Sequence, residues 1–295
     1  MRGILTALII LTLLFFAFIT GVGFGVILSK EDALSRGPRV AVLRIEGVIL
    51  DPKSYLESLS KIKKDESIKA LVLRIDSPGG AVGSSQEIYR EVQKISETKP
   101  VVASLGSIGA SGGYYIACAA KKILANPGTI TGSIGVVAQF VNYEELLRWA
   151  KIDVETVKSG EFKDVGSPFR EMTEEEKKYI QGIIDNVHSQ FKLAVAKGRG
   201  IELKDINKIA DGRIFTGEQA RDLGLIDDFG TLSDAIRIAA NMGGIKEKEP
   251  DVVYYPKPKA RLIDYLLSSV IGDISSYTSS PIKGFGLFYL VDIIQ

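Results

Sequence analysis

Two glycine-rich segments could take part in chemistry, because each follows an apolar run and precedes a helix-like pattern. Residues 76–80 read Asp-Ser-Pro-Gly-Gly. Consecutive glycines let backbone N–H groups point into open space, where they can stabilise a developing oxyanion. A tight turn needs the same glycine conformations, so the segment predicts either an oxyanion hole or a turn.

Ser111 lies in the second segment, residues 109–115, which reads Gly-Ala-Ser-Gly-Gly-Tyr-Tyr. Small neighbours leave its hydroxyl open to a substrate, and a helix that starts here would add the positive end of its dipole. The position suits a nucleophile. It also suits an ordinary N-cap serine.

A nucleophilic serine needs a base, and the sequence offers three candidates. His188 is the only histidine, and it lies in an amphipathic helical pattern, which is typical of a helix-surface residue. Lysine can replace histidine where burial favours its neutral form. Lys158 and Lys163 both lie in the polar segment 158–168, and Lys158 is expected to be exposed to solvent, as most lysines are.

The composition excludes several other kinds of site. The chain has 37 Lys and Arg against 36 Asp and Glu, so no overall field marks it as a binder of nucleic acid or acidic substrates. One cysteine, Cys118, and one histidine exclude an intrachain disulfide and a Cys/His zinc cluster. We expect no metal, no organic cofactor and no nucleic-acid partner.

Short apolar runs alternate with amphipathic segments after residue 40, which predicts βαβ units and a mostly parallel, buried sheet. Predicted strands are residues 40–45, 70–76, 101–105, 122–125, 134–137 and 154–158. Predicted helices are residues 53–64, 82–96, 112–120, 216–223, 231–240 and a long one that starts at Thr173 with a capping box to Glu176. The fold class is therefore α/β.

Both ends of the chain carry apolar segments. Gly3 to Leu28 contains no charged residue, and it is expected to be a transmembrane helix rather than a cleaved secretory signal. The patch 285–291, within the C-terminal stretch 261–295, is too short to span a bilayer as a helix. It could be a core strand, a subunit contact or a membrane-surface element.

Four motifs in order give the sequence a specific resemblance. They are residues 76–80, 109–115, 126–136 (Asn-Pro-Gly-Thr-Ile-Thr-Gly-Ser-Ile-Gly-Val) and 159–168. Together they resemble the signal peptide peptidase A family, in its short single-copy form, over residues 40 to about 240. The resemblance implies a Clp/crotonase-like fold of repeated ββα-type units and a serine peptidase that uses a Ser/Lys dyad.

The resemblance also implies a role for each matching residue. Ser111 would be the nucleophile and Lys163 the general base. Ser133 would hydrogen-bond the lysine amine and orient it toward the serine. The backbone N–H groups of Gly80 and Gly112 would form the oxyanion hole.

The expected organisation has four parts: a membrane anchor (1–28), a juxtamembrane linker (29–39), a peptidase domain (40–242) that carries the resemblance, and a C-terminal extension (243–295) for oligomer or membrane-surface contacts. The resemblance further implies the orientation and the assembly of the protein. We expect a single-pass protein of the cell membrane that contacts lipid through the anchor, with its catalytic domain on the extracytoplasmic side. It would form a homo-oligomer whose substrate groove uses neighbouring subunits. Its substrates would be remnant signal peptides or other unfolded hydrophobic segments.

Three other functions share parts of this pattern. A membrane-bound serine protease of the type that acts with stomatin-like partners has the same superfamily fold, but the contexts of Ser133 and Lys163 argue against it. A crotonase-like acyl-CoA enzyme shares the oxyanion hole and has no use for a lysine beside a serine. A non-catalytic membrane scaffold would not need to retain both Ser111 and Lys163.

Overall fold

The computed structural model describes residues 11–18, 37–257 and 288–290, and its core is a β-sheet. The strands are β1 Arg39–Glu46, β2 Ile68–Ser77, β3 Gly79–Ala81, β4 Val101–Ala110, β5 Lys122–Ala125, β6 Ile130–Gly132, β7 Ile214–Thr216, β8 Asp228–Phe229, β9 Asp251–Tyr255 and β10 Phe288–Leu290. Eight of these described strands form one sheet with the order β7-β6-β4-β2-β1-β9, in which β5 pairs with β4 and β8.

Most neighbours in this sheet are parallel. The pairs β1–β2, β1–β9, β2–β4, β4–β5, β4–β6 and β5–β8 are parallel, whereas β6–β7 is antiparallel. The predicted α/β class with a mostly parallel sheet is therefore confirmed. In a separate small sheet, β10 pairs with β3.

Helices cover the sheet and its edges. They are α1 Lys53–Lys64, α2 Val82–Ser96, α3 Gly112–Ala117, α4 Glu144–Trp149, a 3-10 turn Glu161–Asp164, α5 Glu174–Arg199, α6 Leu203–Ile209, α7 Gly217–Asp222 and α8 Leu232–Met242. The capping box predicted at Thr173 and Glu176 is present at the start of α5. It satisfies two backbone N–H groups of the first turn, which is why this helix begins there.

The central strands are apolar on both faces, because each face is covered. Ala41, Leu43 and Leu71 point into the larger core, which also contains side chains from α1, α2, α3 and α5. Alternate residues such as Val40 and Val72 point to the other face, where α8 packs. Period-two alternation in a buried parallel sheet therefore produces unbroken hydrophobic runs.

Two predicted strands do not form. Residues 154–158 carry no regular secondary structure, and residues 134–137 lie in a loop that contains only a single bridge residue. The strand of this region is β6, Ile130–Gly132, which lies just before the predicted strand 134–137. Past residue 242 the sheet continues, because β9 pairs with β1 in parallel.

The prediction of a membrane-spanning N-terminal segment is contradicted. Most of the predicted span lies outside the described residues; within it residues 11–18 are described, and they are helical. Among the residues that the structure describes, no helix is both long enough and apolar enough to cross a bilayer. The expected localisation as a single-pass cell-membrane protein is corrected accordingly.

Candidate active site

Ser111 and Ser133 are neighbours because they follow two paired parallel strands. β4 pairs with β6 in a register that sets Ala110 opposite Gly132, and each serine is the next residue along its strand. The Ser111 N–H donates to the carbonyl of Gly132 over 2.8 Å. Two motifs separated in the sequence therefore meet at the carboxyl edge of the sheet, where open α/β sheets bind ligands.

The backbone at both serines is in an unusual conformation. Ser111 has φ 52° and ψ −120°, and Ser133 has φ 50°. Positive φ is uncommon outside glycine and costs on the order of 1 kcal/mol or more, so the surrounding structure must hold it. The Tyr115 N–H, which donates to the Ser111 carbonyl over 2.8 Å, contributes to that restraint.

The Ser111 side chain is enclosed yet unpaired. The residue is 1% exposed, and its Oγ has no hydrogen-bond partner among the described residues. A buried hydroxyl without a partner costs free energy, so such groups in folded proteins call for a functional explanation. A nucleophile that waits for a base and a substrate is one such explanation.

The helix that follows Ser111 is fixed by aromatic packing. The Tyr114 hydroxyl donates to the carbonyl of Leu225 over 2.7 Å inside the core. The Tyr115 ring contacts the rings of Tyr89 and Phe191, with centroids 4.8 and 5.1 Å away. These contacts on both sides of α3 hold the turn at Ser111 in place.

Close packing explains why the second residue of α3 is a glycine, Gly113. A Cβ at Gly113 would lie 3.0 Å from the carbonyl oxygen of Ser77. The helix therefore lies directly on the end of β2. Gly112 is the first residue of α3, so its N–H is among those that a helix leaves without an internal partner.

Cys118 is not a rival nucleophile. Cys118 is the C-cap residue of α3, its side chain is buried, and burial raises the pKa of the thiol to about 12. The thiol therefore stays protonated at neutral pH, and thiols react as thiolates. Cys118 acts here as a small apolar core residue.

The glycines of the 76–80 motif form β3, which has one edge occupied by Ile49. The Ile49 N–H donates to the carbonyl of Gly79 over 2.8 Å, and the Ala81 N–H donates to the carbonyl of Ile49 over 2.7 Å. Successive residues of a strand point their backbone groups to opposite edges. The N–H and carbonyl of Gly80 therefore face the other edge of β3.

Gly80 must be glycine at this point. A Cβ on it would lie 2.1 Å from the carbonyl oxygen of Ile49, well inside contact distance. The turn before it is fixed by Ser77, whose hydroxyl donates to the carbonyl of Gly47 over 2.6 Å and accepts the Gly79 N–H over 3.1 Å. Residues 76–80 were predicted to form either a turn or an oxyanion hole. They form a fixed turn, and the Gly80 N–H points away from that turn.

The second edge of β3 holds an extended strand from the C-terminal part of the same chain. β10 runs antiparallel to β3, with Tyr289 opposite Gly80 and Leu290 opposite Gly79. This pairing accounts for residues 288–290 of the apolar patch, whose role the sequence left open. It also means that the edge toward which Gly80 points its backbone groups accepts a peptide strand.

None of the candidate bases is hydrogen-bonded to Ser111 in the described part of the chain. His188 lies on α5, and its Nε2 is 3.1 Å from the carbonyl oxygen of Ile134, in the loop after Ser133. Lys163 is exposed in the 3-10 turn Glu161–Asp164, and no hydrogen bond joins its amine to Ser111 or Ser133. The structure thus brings Ser111, Ser133 and Gly80 to one edge of the sheet and places Lys163 on a separate exposed segment.

The sequence reasoning missed the charged residues that hold the Lys163 turn. Lys158, assigned to solvent, forms an ion pair of 2.6 Å with Asp164. Asp164 also pairs with Arg170, which in turn pairs with Glu176. The one available signal was the capping-box glutamate, since a carboxylate fixed at a helix start is a ready partner for arginine.

Comparison with known proteins identifies this architecture. The profile of Peptidase family S49 matches residues 93–246, and that of Clp protease matches residues 51–129. The chain is 43% identical over 227 residues to a protein named as a protease in Synechocystis, a match that covers 76% of this chain and 82% of the relative.

Two further relatives carry more specific names. A protein of Enterococcus faecium named as a signal peptide peptidase is 36% identical, and the match covers 70% of this chain and 65% of that protein. The chloroplastic serine protease SPPA of Arabidopsis thaliana is 34% identical, with 79% of this chain and 36% of the relative covered. The chain therefore belongs to peptidase family S49, the signal peptide peptidase A family, and is a serine-type protease.

Proposed function

We propose that this protein is an endopeptidase that hydrolyses remnant signal peptides or other unfolded hydrophobic peptides, with Ser111 as nucleophile and Lys163 as general base. The observation that carries the proposal is the arrangement at the carboxyl edge of β2, β4 and β6. There a buried hydroxyl without a partner lies at the end of β4, and a strand edge that accepts peptide lies at the end of β2.

The chemistry is acyl transfer followed by hydrolysis. Ser111 Oγ bonds to the scissile carbonyl carbon while its proton passes to the neutral amine of Lys163, and the N–H groups of Gly80 and Gly112 stabilise the oxyanion. The C–N bond then breaks, and the leaving amine takes the proton from Lys163. Water attacks the resulting ester, gives its proton to Lys163, and Ser111 recovers a proton as the acid product leaves.

Substrate binding would use the edge of β3 that β10 occupies. An extended peptide would pair with Gly79–Ala81, as β10 does, so that backbone hydrogen bonds give affinity and side-chain pockets give preference. This mode requires an unfolded segment, because a folded protein cannot offer an extended backbone. It supports a broad preference for unfolded peptides.

The position of Lys163 supports a role for assembly in completing the dyad. A lysine base must be neutral, and an exposed amine in water favours the charged form. Residues around the turn also expose large apolar side chains, among them Trp149 at 82% and Val157 at 92%. We propose a homo-oligomer in which a second copy covers this segment, and in which the amine then reaches a serine with Ser133 as its orienting partner.

The test of the function is cleavage of a set of synthetic signal peptides by the purified protein and by its Ser111→Ala variant. We expect the wild-type protein to cut within the apolar part of the peptides and the variant to be at least about 1000-fold slower, because the covalent route is lost. Mass spectrometry of the fragments gives both the rate and the preferred sites. A fluorophosphonate should label the wild-type protein and spare the variant.

Two controls separate the alternatives. An acyl-CoA thioester added to the same preparation should remain intact. Hydrolysis of the thioester faster than that of the peptides would favour the hypothesis of a crotonase-like acyl-CoA enzyme. Light scattering across a range of concentrations should show several chains per particle. A monomer with full activity at all concentrations would remove assembly from the proposal and leave the peptidase assignment in place.

A further inference from the structure

Four charged side chains surround the turn that carries Lys163. Asp164, the last residue of the turn, is the central member of this charged network. The Lys158 amine donates to one oxygen of the Asp164 carboxylate over 2.6 Å, and Arg170 Nε donates to the other over 2.9 Å. The Arg170 guanidinium also donates to both carboxylate oxygens of Glu176, over 2.8 Å in the case of Nη1. Arg170 therefore bridges the turn and the start of α5, and we call these four residues the clamp.

The clamp is less exposed than the segment around it. The side chains of Asp164 and Glu176 are 13% and 5% exposed, and that of Arg170 is 31% exposed. An arginine that forks onto carboxylates in such a setting gives geometric specificity as well as energy, unlike a solvated surface pair. The clamp thus defines one relative placement of the turn and the helix.

The capping box of α5 orients the Glu176 side chain independently of Arg170. Its carboxylate accepts the Thr173 N–H over 2.9 Å, and its own N–H donates to the Thr173 hydroxyl over 3.2 Å, which completes the capping box of α5. Further along, α5 enters the core through Phe191 and Val195. A turn attached to Glu176 is therefore attached to the main body of the protein.

An aromatic contact supports the same attachment. The Phe162 ring, beside Lys163, lies 5.1 Å from the ring of Tyr179 on α5. The residues on either side of Lys163 are thus both held, one by an apolar contact and the other by the clamp. The Lys163 side chain between them is left without a hydrogen-bond or ion-pair partner in the described residues.

We propose that Arg170 is a positioning residue, which fixes the Glu161–Asp164 turn on α5 and so determines where the Lys163 amine is presented. The inference rests on the proposed role of Lys163 as the base. A base must reach its proton within about 2.6–3.2 Å, and a misplacement of about 1 Å can cost about 100-fold in rate. A lysine on a loose turn could not meet that requirement.

The clamp has a second consequence for the base. A carboxylate next to a lysine would normally pair with it and favour the ammonium form, which cannot accept a proton. Lys158 and Arg170 each donate a hydrogen bond to one carboxylate oxygen of Asp164, and no ion pair joins Asp164 to Lys163 in the described residues. Loss of Arg170 would free one side of Asp164 for such a pair.

The test compares Arg170→Ala with Arg148→Ala in the purified, assembled protein. Arg148 is a matched control because it lies on the same exposed segment and pairs with Glu144 over 2.7 Å without contacting the turn. We expect Arg170→Ala to lower kcat about 10- to 100-fold with KM for peptide within about threefold, and Arg148→Ala to stay within about twofold. The rising limb of the activity–pH profile should move to higher pH in Arg170→Ala alone.

Three readouts separate positioning from loss of structure. Hydrogen exchange of amides 161–167 should quicken in Arg170→Ala while α3 stays protected, and added guanidinium should restore part of the activity of that variant only. If Arg170→Ala melts below the assay temperature, Asp164→Asn, which is nearly isosteric, should show the same pattern of kcat and KM. Its rising limb should stay in place, because no carboxylate is left at residue 164 to pair with Lys163.

The outcomes also separate this inference from the proposed function. Normal kcat and an unchanged pH profile in a folded Arg170→Ala protein, alongside an inactive Lys163→Ala protein, would overturn the inference alone. Full activity of Lys163→Ala would overturn the base assignment instead. Equal losses in Arg170→Ala and Arg148→Ala would show a general effect of charge on the segment and would also contradict the inference.

Discussion

The two halves of the proposed dyad lie in contrasting surroundings. Ser111 is 1% exposed at the end of a core strand, and the helix after it is packed between aromatic rings. Lys163 is exposed on a short turn, in a segment whose side chains reach 92% exposure at Val157. One half is fixed by the hydrophobic core, and the other is held mainly by charged side chains at the surface.

This contrast indicates that Ser111 and Lys163 are preorganised by different kinds of interaction. Core packing can maintain a positive φ such as that of Ser111, because moving it would disturb many buried contacts at once. Surface ion pairs are individually weak, so the base needs a bridged network and, in our proposal, a second copy of the chain. The nucleophile is then ready in one chain, whereas the base is completed by assembly.

The largest effect expected on the base side is that of Lys163→Ala. It should lower peptidase activity about 100- to 10,000-fold while the protein still folds, assembles and binds peptide, because only the proton acceptor is lost. Lys163→Arg should fail as well, since a guanidinium stays protonated at accessible pH. Initial rates with a fluorogenic peptide at saturating concentration measure the effect.

Matched variants show whether the other candidates matter. His188→Ala should remain within a few-fold of the wild-type rate. Lys158→Ala removes one of the partners of Asp164, so it tests the clamp rather than the choice of base, and its loss of activity should be smaller than that of Lys163→Ala. Loss of activity in His188→Ala together with normal activity in Lys163→Ala would reverse the comparison, since His188 lies on α5 beside the Ser133 loop.

Ser133→Ala should have a smaller effect, about tenfold in kcat, because the hydroxyl is proposed to orient the amine rather than to accept the proton. Ser133→Gly is the matched variant. It also lacks the hydroxyl, but it relieves the φ of 50° at this residue. Equal losses would identify the hydroxyl as the cause, whereas a normal rate for the glycine variant would identify the backbone instead.

A few-fold effect is expected from the strand that occupies the edge of β3. Deleting residues 286–295 should lower KM about two- to tenfold with kcat unchanged, because β10 and a substrate peptide would compete for the same edge. Tyr289→Pro, which removes the N–H opposite Gly80, should act like the deletion, and Tyr289→Ala should not. An unchanged or higher KM for the deletion would show that β10 does not block substrate.

The sequence predicted the nucleophile side well because that side depends on local patterns. The helices 53–64 and 82–96 and the strand 122–125 match the structure to the residue, since each is an amphipathic or apolar run bounded by turn residues. The strand before Ser111 was predicted over 101–105 and extends to Ala110 in the structure, so the place of Ser111 after a core strand could be inferred although the length of that strand could not. The meeting of Ser111 with Ser133 came from the family resemblance, because strand pairing is not a local property.

The base side was predicted poorly for a physical reason. The residues of the clamp are six apart along the chain, which is not the i+3 or i+4 spacing of neighbours on a helix. In a strand this spacing would separate them by about 20 Å. Strands were predicted over 134–137 and 154–158 from short apolar runs, but such a run forms a strand only beside a partner strand, and the described residues provide no ladder there. Only the folded chain shows what holds this segment.

The smallest expected effect concerns the clamp and pH. Hydrogen bonds from Arg170 hold the pKa of Asp164 well below its usual range, with help from Lys158. Arg170 and the Thr173 N–H likewise lower the pKa of Glu176 to about 2. A carboxyl whose pKa is lowered by folding stabilises the folded state above its ordinary pKa of about 4, and this contribution is lost as pH falls through the folded value.

The clamp should therefore stay intact throughout the range in which a peptidase works. Between pH 5.5 and 8.5, protection of amides 161–167 against hydrogen exchange, corrected for the intrinsic rate, should change less than about twofold, because neither carboxylate titrates there. Arg148→Ala serves again as the control. Any rise in activity over this range would then come from the base rather than from the clamp. Protection that disappears near pH 5.5 would show instead that the surface network yields under conditions in which the buried serine side does not change.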